Sequence, residues 1–84
     1  MPNPFNPTTT LRYDVPQAEH VQILVYNVQG KLVRRLVDER RPAGSHAATW
    51  DGRSQRGTQV ASGVYIAVMR AGPYQHAMRM VLLK

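Results

Sequence analysis

Apolar positions recur along this chain with a period of two, in runs too short for ordinary helices, and that alternation reads as a succession of β-strands. From Thr8 to Val15, Leu11 and Tyr13 share one face, and Asp14-Val15-Pro16 ends the run. His20 to Val28 is apolar on both sides, with Val21, Ile23 and Val25 on one face and Leu24, Tyr26 and Val28 on the other, which predicts a central strand. Lys31 to Val37 places Leu32 and Leu36 on one face and Val33 and Val37 on the other, interrupted by Arg34 and Arg35. The same four positions also fit a helical stripe, but turn signals and strong β neighbours decide for a strand. Ser45 to Trp50 follows with His46, Ala48 and Trp50 on one side, then a short edge strand at Thr58 to Ala61. Val64 to Ala71 is a buried strand, and Tyr74 to Leu83 is the last, with Met78, Met80 and Leu82 alternating against Arg79, Val81 and Leu83.

The punctuation agrees with this division. Asn27-Val28-Gln29-Gly30 and Gly72-Pro73 are turns, and Asp38 to Gly44 reads as a charged loop. Residues Thr49 to Met69 organise the rest: the single tryptophan, Trp50, leads into Asp51-Gly52, a polar loop reaches Gly57, and Ser62-Gly63 opens onto Val64-Tyr65-Ile66. Asp and Gly at such points serve turn geometry, since Asp bonds its own backbone and Gly reaches positive φ without a Cβ clash. Trp50 and the strand after Gly63 are therefore expected at the centre of the core. About seven short strands without a convincing helix predict an all-β fold, an immunoglobulin-like antiparallel sandwich. Residues 1–7 carry three prolines and are expected to form a semi-rigid lead-in with Phe5 as its anchor, and residues 8–84 are expected to form the sandwich.

Composition narrows the chemistry. The chain has 84 residues, a single small domain, and no cysteine, so neither disulfides nor thiolate metal sites support it. No run approaches a membrane span, so no stable membrane insertion is expected, and no signal peptide opens the chain; an exported parent would carry its signal elsewhere. The net charge of +6 is spread along the chain as strand-face arginine, without the interleaved aromatics of a nucleic-acid platform, so no nucleic-acid partner is expected. His20, His46 and His76 fall on three different strands without ligand spacing, and they read as ordinary surface histidines; no metal or other cofactor is expected. The five acids form no dyad, and Asp51-Gly52-Arg53-Ser54-Gln55-Arg56-Gly57 follows its single carboxylate with two arginines, which repel calcium. It has no phosphate-loop ending, and no serine has a nucleophile-elbow context. The chain is not expected to be an enzyme.

What stands out is the C-terminal strand. Met80-Val81-Leu82-Leu83-Lys84 offers backbone groups, apolar side chains and a terminal positive charge to a reader that works by strand addition or carboxylate capture.

Several of these residues also carry a resemblance. Asn3-Pro4-Phe5-Asn6-Pro7-Thr8-Thr9-Thr10-Leu11-Arg12-Tyr13, Val25-Tyr26-Asn27-Val28-Gln29-Gly30, Ala43-Gly44-Ser45-His46, Trp50-Asp51-Gly52-Arg53, Gly57 and Ala61-Ser62-Gly63-Val64-Tyr65, with the Met80–Lys84 ending, resemble the C-terminal sorting domain of type IX secretion. That domain is similar to the immunoglobulin-like domain of flagellar hook-capping proteins. The likeness spans nearly the whole chain, and its specificity lies in the ordered set; Asn27 departs from a frequent Asp. It implies a non-catalytic signal module, covalently part of a larger cargo protein that crosses the periplasm to the cell surface or medium. The implied partners are an outer-membrane secretion translocon, which would read residues 80–84, and a sortase-like protease. Two alternatives stay open: a structural role like hook capping, and a polysaccharide-binding domain, for which Trp50 is expected to be too buried.

Overall fold

In a computed structural model, residues 8–83 are described, and all their regular structure is strand: β1 (Thr9–Val15), β2 (Glu19–Asn27), β3 (Leu32–Arg41), β4 (Gly44–Trp50), β5 (Gly63–Ala71) and β6 (Tyr74–Leu82). They form two antiparallel sheets, a two-stranded β1-β4 and a four-stranded sheet of order β3-β2-β5-β6. The all-β sandwich is as expected, and β2 lies between β3 and β5, the central place its two apolar faces predicted.

Three boundaries are corrected. The strand count is six among the described residues instead of about seven. The expected strand at Thr58–Ala61 shrinks to one bridge, Arg53 with Gln59. The charged loop at Asp38–Gly44 is largely strand, because β3 continues to Arg41 and β4 begins at Gly44. Residues 38–41 stay extended because Glu39, Asp38 and Arg40 pair with Val21, Gln22 and His20, and an edge strand tolerates charge on its solvent side. The pairing of β2 with β3 shifts register between Ile23 and Leu24 and again between Val25 and Tyr26. These bulges set Arg34 opposite Val25, so the strict alternation of Leu32 to Val37 does not survive.

The core lies between the sheets. Val21, Ile23 and Val25 of β2, Tyr65, Ala67 and Met69 of β5, and Met80 and Leu82 of β6 meet Leu11, Tyr13 and Val15 of β1 and Trp50 of β4. Trp50 is fully buried and meets the Tyr65 ring edge-on, centroids 5.0 Å apart. The edge-to-face geometry sets the positive ring edge against a π-face. The Nε1 of Trp50 donates to the Arg53 carbonyl at 2.9 Å, and the Tyr65 hydroxyl donates to the Ala61 carbonyl at 2.7 Å. The second bond is the tyrosine-corner device of sandwich folds, in which a core tyrosine holds the backbone just upstream. Trp50 and Tyr65 thus bury their rings with the polar atom satisfied, and they lie in the core as the sequence reading expected.

Candidate functional site

The polar loop between Trp50 and Gly63 is built from its own hydrogen bonds. Asp51 Oδ1 accepts from the Arg53 amide and from Arg34 Nη1, both at 3.1 Å, and Arg34 Nη1 also reaches the Arg53 carbonyl. The Gly57 amide donates to the Ser54 carbonyl, the Ser54 amide to the Thr58 carbonyl, and Arg53 Nη1 to the Gly57 carbonyl. Gly52 and Gly57 sit at φ of 74° and 85°, the left-handed region that a side chain disfavours. The loop is also docked. The Gln55 amide donates to the Val33 carbonyl at 2.8 Å, while Gln55 Oε1 accepts from the Arg35 amide at 2.9 Å. One glutamine therefore occupies a donor and an acceptor on the outer edge of β3, and the edge is blocked there.

At the opposite end of the four-stranded sheet, β6 pairs with β5 on one side only among the described residues. The residues expected to form a recognition surface divide there. Met80 and Leu82 point into the core, whereas Val81 is 50% and Leu83 74% exposed. Lys84, and the lead-in residues Pro4 and Phe5, lie outside the described residues. Of the expected structural residues, Trp50, Asp51, Gly52 and Gly57 lie at the start of the loop or within it, Gly63 opens β5, and Tyr65 packs on Trp50. Arg34, Arg53 and Gln55, which complete that loop, carry no distinctive sequence signal: an arginine or glutamine in a polar stretch reads as solvated.

The polar side chains around the three histidines are engaged locally. An open cleft of about 480 Å³ is lined by Arg12, Tyr13, Asp14, Ser45, His46 and Ala47. In it Ser45 Oγ donates to Asp14 at 2.6 Å, while His46 Nε2 donates to the Pro42 carbonyl at 2.8 Å and its ring stacks on Tyr13. The serine is thus bonded to the acid and turned from the imidazole, which is not a relay. His20 pairs with Asp38 and His76 lies beside Tyr74. Among the described residues no three His, Cys, Asp or Glu side chains gather as a metal site. No described helix is long and apolar enough to cross a membrane.

Comparison with known proteins agrees with this architecture. A family model described as the FlgD Ig-like domain matches residues 6–75. The crystal structure of FLGD from P. aeruginosa is similar, with a TM-score of 0.72 and 23% identity over 89% of this chain. The chain spans 60% of that protein's chain, and a likeness at this identity bears on the fold. No curated protein matches the chain.

Proposed function

The chain belongs to the family of FlgD Ig-like domains, and from that premise we propose that it is a non-catalytic recognition module, a sorting signal through which a type IX secretion translocon takes up a larger exported protein. The parent would pass through the periplasm to the cell surface or medium, where a sortase-like protease is a further partner. The observation that carries this reading is the asymmetry of the sheet edges: β3 is capped by Gln55, and β6 has no second neighbour among the described residues. A strand with an unpaired edge and outward Val81, followed by exposed Leu83, supports recognition by strand addition. The module's own core needs Met80 and Leu82, so deletion of residues 80–84 confounds recognition with unfolding.

The test uses two variants fused to a secreted reporter in a type IX host. One carries Val81→Glu with Leu83→Glu, which alters only outward side chains; the other appends a hydrophilic tail after Lys84. Both should keep the melting transition and leave the reporter in the periplasm. A folded double variant secreted at the normal level would sink recognition through this strand. The second reading is a structural immunoglobulin-like domain that serves assembly within its parent, favoured by the likeness to FLGD. It expects both variants to leave export unchanged.

A further inference from the structure

Folding does not account for the outer face of the four-stranded sheet. The inner face packs on β1-β4, but among the described residues no element covers the other side. The cross-strand register orders that face in rows: Arg35, Leu24, Val68 and Ala77 in one, and Leu32, Tyr26, Ile66 and Arg79 in the next. Val64 beside Val81 adds a third apolar row, and Gln22, Arg70 and Gln75 form a polar one at the far end. Leu24, Tyr26, Val64, Ile66 and Val68 are half-buried, and Leu32 is 49% exposed. From strand spacing and rise, the face measures roughly 14 by 20 Å. Its area alone is within the range of an ordinary surface patch, and what sets it apart is the continuity of its apolar rows and the charge of their border.

The rim states the chemistry of the occupant. Arg35, Arg40, Arg70 and Arg79 border the patch, and the one carboxylate in these rows, Asp38, is already engaged by His20 at 2.6 Å and Arg35 at 3.7 Å. Among the described residues neither Arg70 nor Arg79 has an ion-pair partner. A second copy of this face would set arginine against arginine. An anionic lipid surface would also answer the charge, but most of the apolar side chains are half-buried, and only Leu32 and Val81 stand half exposed to offer an insertion. We infer that this face docks a protein surface with an apolar stripe flanked by carboxylates, of the width of an amphipathic helix about 13 residues long. The inference shares Val81 with the β6-edge reading, and its other large apolar side chains lie on β2, β3 and β5, so shifts centred on Leu24, Tyr26, Ile66 and Val68 distinguish the two.

The test is a titration of the isotope-labelled chain, followed by backbone amide shifts, with a helical peptide of about 14 residues bearing a leucine stripe flanked by glutamates. Shifts should concentrate at Leu24, Tyr26, Ile66 and Val68. The same peptide with lysine flanks should not bind. Arg70→Glu and Arg79→Glu, on exposed positions, should each weaken binding about five-fold without moving the melting transition. The inference is overturned if neither peptide binds, if both bind alike, if the shifts fall on the β6 edge, or if the arginine variants bind as well as the parent. Binding only to vesicles of phosphatidylcholine and phosphatidylglycerol would overturn it too, in favour of lipid.

Discussion

At the scale of single residues, Trp50 and Tyr65 bear the most weight, because each joins a buried ring to a satisfied polar atom. Truncating Trp50 to Ala removes the largest fully buried side chain and the donor to the Arg53 carbonyl, which starts the loop. The expected loss is about 3–5 kcal/mol, enough to unfold most of a domain this small, and urea denaturation measures it. Tyr65→Phe is the finer probe. It keeps the ring against Trp50 and deletes only the bond to Ala61, so the expected loss is about 0.5–1.5 kcal/mol. A loss as large as that of the tryptophan variant would mean that Tyr65 acts through more than its hydroxyl. Phe5, the expected anchor of the lead-in, lies outside the described residues.

At the scale of elements, the Trp50–Gly63 loop and strand β3 are one unit. The loop is polar, yet it is held by its own backbone bonds and by the two that Gln55 makes to β3. Gln55→Ala retains the amide bond to Val33 and removes the acceptor for the Arg35 amide. Stability should fall by about 1 kcal/mol, and the Arg35 amide should exchange with solvent markedly faster. Unchanged exchange there would show that the loop does not cap the edge. The β2–β3 pairing teaches the same lesson from the other side. Two register shifts bring Arg34 to the Asp51 carboxylate, so a residue that merely interrupts an apolar run in the sequence becomes the link between sheet and loop.

At the scale of the whole molecule, the sandwich has two unlike sheets and therefore unlike surfaces. The two-stranded sheet packs on the inner face of the four-stranded one, and among the described residues no strand covers the outer face or pairs with the free edge of β6. The histidines are distributed across this body and each is engaged locally, His20 with Asp38, His46 with Pro42 and Tyr13, and His76 with Tyr74. Zinc or calcium at micromolar concentration should therefore leave the melting temperature unchanged in a thermal scan. A rise of several degrees would reveal ligands that converge in solution, since a ligand that binds only the folded state stabilises it by mass action.

The sequence by itself placed all six strands and two of the turns and set Trp50 and Tyr65 in the core, because each is a local matter, but it also offered a strand at Thr58–Ala61 that is a single bridge. Side-chain alternation selects a buried face, Asn27-Val28-Gln29-Gly30 and Gly72-Pro73 permit tight reversals, and one tryptophan beside a β-rich run has few places to go. It left the extent of β3 unread, because Asp38 to Arg41 has loop-like composition and is extended only through its pairing with β2. It also left open which face of an all-apolar strand is covered. Leu24 and Tyr26 look as buried as Ile23 and Val25 in the chain, and only the arrangement of sheets decides that one pair is core and the other surface. The capping of β3 by Gln55 was equally a tertiary decision, since a glutamine becomes an edge partner only when a strand edge lies within reach of it.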